Sequence, residues 1–111
     1  MSGDISERDW KVFREVHRHA LERFSARILA EAQAEISRPE STSHERYLRL
    51  YRLFEERDHD IARAFNDLRR STALMQLGIL DVMGLVTPQE LERFSPEVRE
   101  SLALLARFRK A

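Results

Sequence analysis

Ser71-Thr72-Ala73-Leu74-Met75-Gln76-Leu77-Gly78-Ile79-Leu80-Asp81-Val82-Met83-Gly84-Leu85-Val86 carries a single charge, Asp81, in a chain of 111 residues of which 34% are charged. It continues a charged amphipathic segment with no turn signal before Gly78, so it reads as the far end of a long helix. A helix that is apolar all round must be covered on every side. In a chain this short the cover comes either from tight wrapping by the C-terminal segment or from a second copy. The stretch is shorter than the roughly 20 residues that span a bilayer, and it contains Gln76 and Asp81, so it reads as core or interface and not as a membrane segment.

Composition narrows the class. Three glycines and three prolines punctuate the chain sparsely, the reverse of an all-β pattern. The expectation is one all-α domain over residues 1–111. Nineteen basic residues balance nineteen acidic ones, so neither a polyanion nor an acidic membrane is an indicated partner, and weak charge repulsion suits a protein that self-associates. The absence of cysteine excludes thiolate nucleophiles and Cys-ligated zinc. Met1-Ser2-Gly3-Asp4 has no signal-peptide pattern, which points to a cytoplasmic protein.

Capping signals divide the chain. Ser6 precedes Asp9 and Trp10 as an N-cap, and Trp10, Phe13, His17, Ala20, Leu21, Phe24, Ile28, Ala32 and Ile36 form an apolar stripe that predicts a helix to about Ser37. Pro39 ends it. After the polar turn Arg38–Ser43, Thr42 and Glu45 form a capping box. From there Tyr47, Tyr51, Phe54, Ile61, Phe65, Leu68, Thr72, Met75 and Ile79 alternate by three and four, predicting one second helix to Met83 that passes through Gly78. Gly84 then supplies the left-handed residue after the cap, with Leu85 folding back toward Leu80. Thr87-Pro88-Gln89-Glu90 starts a short helix, and Ser95-Pro96-Glu97 starts a final one. The predicted fold is an antiparallel long-helix hairpin plus two shorter C-terminal helices, paired as a dimeric helical bundle. Leu74, Met75, Leu77, Ile79, Leu80 and Met83 are the expected dimer interface, within a second half of helix two where burial of ten apolar side chains would contribute on the order of 15–30 kcal/mol before entropic costs.

Three polar constellations are candidates for chemistry. Asp58 falls on the second-helix seam between Phe54 and Ile61, where an unpaired carboxylate would cost several kcal/mol. It therefore calls for a basic partner, with His17 and Arg14 on helix one and Arg57 as candidates, either as a register-fixing polar pair or as the wall of a ligand pocket. Glu56 and His59 have the Glu-x-x-His spacing of carboxylate-bridged metal bundles, but their register faces outward. The clusters Arg14, Arg18, His19 and Arg69, Arg70 are interrupted by acids, so no nucleic-acid stripe forms. No Gly-x-Ser-x-Gly, phosphate loop or dinucleotide fingerprint is present, which argues against an enzyme and against a cofactor.

Ser6–Arg14 (Ser-Glu-Arg-Asp-Trp-Lys-Val-Phe-Arg), Asp67–Ser71 (Asp-Leu-Arg-Arg-Ser) and Glu90–Leu102, with Phe94-Ser95-Pro96-Glu97, make up a pattern across most of the chain. It resembles a set of short, functionally uncharacterised, all-helical bacterial proteins that open with Asp-Trp-Lys-x-Phe-Arg. The resemblance implies a bacterial source and an all-α fold and brings no activity, cofactor or site residue. The functional expectation is a homodimeric protein–protein interaction or assembly module with a further protein partner. The alternative is a ligand- or metal-binding bundle with its polar site between the long helices.

Overall fold

The computed structural model describes residues 4–110; the N-terminal reading on Met1–Gly3 lies outside them. Its elements are α1 (Glu7–Ile36), α2 (Ser43–Phe65), a 3-10 turn (Arg70–Thr72), α3 (Ala73–Val82), α4 (Pro88–Glu92) and α5 (Pro96–Lys110), with no strand among the described residues. The fold is the all-α hairpin with C-terminal helices that the capping signals predict.

Each predicted cap is in place. Ser6 accepts the Asp9 amide at 3.1 Å. Thr42 and Glu45 exchange bonds of 3.1 and 2.8 Å, and Thr87 and Glu90 do the same at 3.1 and 2.9 Å. These side chains satisfy amides that have no partner inside the helix. Gly84, at φ 73°, ends α3 in a Schellman turn, with Leu85 N–H donating to Leu80 O and Gly84 N–H to Asp81 O, both at 3.0 Å.

The second helix differs from expectation. It stops at Phe65, and the chain bends through Asn66–Arg69 before α3 begins; Gly78 lies inside α3, which runs through it unbroken. Tertiary packing causes the bend. It folds the apolar stretch back over the base of the hairpin, where Leu77 and Leu80 are buried with Phe13, Val16, Ala20 and Leu85. The C-terminal segment does the wrapping: α3 packs on α5, α1 and α2. This corrects the expected dimer interface. Leu77 and Leu80 belong to the protomer's own core, Leu74, Ile79 and Met83 pack against it, and of the six only Met75 is largely exposed, at 67%.

Candidate protein-binding face of the hairpin

The molecule is 57 Å long and 28 by 23 Å across, and its two ends are built differently. At the base, α1 is clasped by the C-terminal helices. Asp9, 2% exposed, accepts the Ser95 amide at 2.9 Å and the Ser95 hydroxyl at 2.7 Å. Burial pushes its carboxyl up, but the bonds from Ser95 and Ser6 outweigh this and hold it below the usual aspartate range. Glu90 receives Arg23 through two nitrogens, at 2.6 and 3.1 Å, and bonds His19 Nδ1 at 3.2 Å. Burial opposes its ionisation, yet Arg23, the Thr87 amide and His19 bring its carboxyl down to about 2. The ionised carboxylate, gripped by Arg23 and by the first turn of α4, ties α1 to α4 as a clasp. Arg27, bonded to the Met83 carbonyl at 3.0 Å, is among the last clasp contacts toward the hairpin tip.

Beyond Arg27 the hairpin consists, among the described residues, of two helices with no third layer, and no α2 residue before Ala64 is buried. One side of this half is ionic. Arg57 grips Glu31 at 2.7 and 3.2 Å and Asp60 at 3.1 Å, and Arg49 reaches Glu35 at 3.1 Å. The pairs to Glu31 and Glu35 fix the register of the two antiparallel helices. Counting 100° per residue away from them, the opposite side presents Leu29 and Ile36 from α1 and Tyr47, Tyr51, Phe54 and Asp58 from α2. The five apolar side chains are 66%, 50%, 61%, 58% and 41% exposed. An apolar face on one side of an isolated helix pair has no cover within the protomer, and contiguous exposed apolar surface marks an interaction site.

The polar residues singled out from sequence are not brought together. His17 is buried and bonds the Phe65 carbonyl at the end of α2 at 3.1 Å, with its ring edge-on to the Phe65 ring at 5.2 Å. Arg14 is exposed and lies over Trp10, 5.6 Å from the ring centre. Asp58 is exposed and bonded to neither. The apolar pattern of α2 points to a different line from the one that packs. The line toward α1 is Arg46, Leu50, Leu53, Arg57, Ile61 and Ala64, in which half-buried arginine stems take places that a sequence reading gives to apolar residues. Glu56 and His59 are exposed, and no group of three or more His, Asp or Glu fit to hold a metal forms among the described residues. No described helix is long and apolar enough to cross a membrane. Sequence reading missed Arg23 as the partner of Glu90 and Ser95 as the partner of Asp9. Capping pattern marked Glu90, Asp9 and Ser95 individually, but no local signal pairs residues this far apart.

The chain is similar in fold to the Fluorescence Recovery Protein. The structure from Synechocystis sp PCC 6803 matches with a TM-score of 0.77 and 24% sequence identity, over 92% of this chain and 97% of that one. A mutant of that protein, with one arginine replaced by lysine, matches with the same values. The likeness to Fluorescence Recovery Protein takes in nearly the whole of both chains, and at this identity it establishes the fold. No protein-family model matches the sequence, and no curated protein matches it.

Proposed function

We propose that this chain is a small bacterial protein–protein interaction or assembly module that acts in the cytoplasm as a homodimer, by binding and not by catalysis. The observation that carries this reading is the uncovered face of Leu29, Ile36, Tyr47, Tyr51 and Phe54. A second copy is the occupant that suits it best. Tyr47, Tyr51, Phe54 and Asp58 follow the three-four spacing of a helical seam, which complements itself across a twofold axis. The balanced charge puts no repulsion between copies. Covering the exposed parts of these five side chains is worth on the order of 5–10 kcal/mol per copy before the cost of association. The shared fold with Fluorescence Recovery Protein, a protein named for an effect on fluorescence and not for a reaction, supports binding over catalysis.

Native mass spectrometry of the full chain, purified without chelators, tests the proposal. The expected result is a dimer mass with nothing added, and a monomer mass for Tyr51→Glu with the helical circular dichroism unchanged. A wild-type monomer, or a dimer indifferent to this substitution, would overturn it.

A further inference from the structure

The bend between α2 and α3 is made of residues that have no need to bend. Asn66-Asp67-Leu68-Arg69 contains neither glycine nor proline, and no residue in it has positive φ. Asn66 (φ −81°, ψ −7°) and Ala73 (φ −58°, ψ −42°) already have helical backbone, and Arg70–Thr72 form a 3-10 turn. Arg69, at φ −132° and ψ 145°, is extended. The turn is held locally, by the ion pair of Arg69 with Asp67 and by the Thr72 hydroxyl on the carbonyls of Asp67 and Arg69, each at 3.2 Å.

The bend also interrupts a pattern. Tyr47, Phe54, Ile61, Leu68, Met75 and Val82 stand seven residues apart across it. All are apolar, and all except the half-buried Ile61 are among the exposed large hydrophobic side chains of the protomer, with Leu68, Met75 and Val82 at 44%, 67% and 65%. A seven-residue apolar line sustained over five intervals belongs to one continuous helix packed on a partner. In the bent chain its second half has nothing to pack against.

We infer that two copies exchange their α3–α5 halves. The hinge at 66–72 straightens into a single helix from Ser43 to Val82, about 60 Å long at 1.5 Å per residue, and the α3–α5 half of each copy docks on α1 of the other. A lone chain cannot straighten, because Leu77 and Leu80 would lose their cover. In the exchanged pair the contacts that tie α4 and α5 to α1 are made again between chains, including Asp9 with Ser95, Arg23 with Glu90 and Glu15 with Arg93. Exchange of an identical element is a low-cost route to a dimer, and this hinge is composed of helix-compatible residues. The proposal goes beyond the face-to-face dimer, in which each hinge stays bent.

The chain has no cysteine, so a cross-link can report which chain each C-terminal half belongs to. Glu15→Cys/Arg93→Cys replaces an exposed ion pair between α1 and the α4–α5 junction, and a short bismaleimide bridges the two positions. A bent chain gives cross-links within one chain whether or not it dimerises. Exchanged chains give covalent dimers. The expected result is a covalent dimer whose fraction rises with protein concentration during refolding. It should rise several-fold in Asp67→Ala/Thr72→Ala, which removes the bonds of the turn, and fall several-fold in Leu68→Gly/Arg69→Gly, which disfavours the straight helix. Cross-links confined to single chains at every concentration with the native hinge would overturn the exchange. Since that outcome leaves light scattering free to report a dimer, failure of the exchange and failure of the face-to-face dimer are distinct results.

Discussion

The carboxylate of Asp9 caps a helix that begins 86 residues later in the chain: Oδ1 accepts the Ser95 amide and Oδ2 the Ser95 hydroxyl, at 2.9 and 2.7 Å. One side chain thereby closes the first turn of α1 with Ser6 and anchors the start of α5. Removing it leaves buried donors unpaired, which costs more than the bonds contribute when made. Asp9→Ala should lower unfolding free energy by about 2–4 kcal/mol, and Asp9→Asn, which keeps the shape and loses the charge, by about 1–2 kcal/mol. Urea denaturation followed by circular dichroism measures both. No loss in Asp9→Asn beside a full loss in Asp9→Ala would show that charge plays no part.

Glu90 makes stability depend on acid. Its folded-state carboxyl titrates at about 2, against 4.5 in the unfolded chain. The unfolded state binds more protons between these values, so the contribution is complete above about pH 4.5 and drains away as pH falls toward 2. It amounts to on the order of 3 kcal/mol. Glu90→Gln should cost about 2 kcal/mol at neutral pH and flatten the acid limb of the stability curve between pH 4.5 and 2. An unchanged acid limb would mean that other carboxylates carry it.

Gln76 is a defect in the core. It is 4% exposed in α3, and neither atom of its amide has a hydrogen-bond partner among the described residues. A buried unsatisfied amide costs about 1–3 kcal/mol, and an apolar side chain of the same shape avoids the cost. Gln76→Met should therefore stabilise the protein by about 1–2 kcal/mol, seen as a higher urea midpoint at unchanged slope. A loss of stability would mean that the amide has a partner in solution.

Asp58 stands on the uncovered face and not in the protomer core. Asp58→Ala should leave protomer unfolding within about 0.5 kcal/mol of wild type. Asp58→Leu should tighten self-association several-fold, because a polar residue on a helical seam sets register at a cost in stability. Dilution series read by light scattering distinguish this from an effect on folding.

What the sequence makes legible follows from the range of the forces involved. Ser6, Thr42, Thr87 and Gly84 act on amides and carbonyls within a few residues, so the helix ends are readable from spacing. The bend after Phe65 is not, because Asn66–Arg69 would continue a helix and yields only to the packing of Leu77 and Leu80 against α1. The face of α2 is misread for a related reason. The stripe Tyr47–Tyr51–Phe54–Asp58 has the spacing of a seam, but Arg49 and Arg57, paired with Glu35 and Glu31, hold α2 so that this stripe points away from α1. An arginine stem covers apolar surface as well as a leucine does, and a reading by polarity assigns it outward.

In the proposed dimer a second copy covers the hairpin face. Sedimentation velocity over a concentration series, for wild type and for Tyr51→Glu/Phe54→Glu, tests it most directly. The account predicts a dimer for wild type and a monomer for the variant, with α-helical content and thermal unfolding of the protomer retained. A wild-type protein that sediments as a monomer throughout, or a variant that remains a dimer, would contradict it.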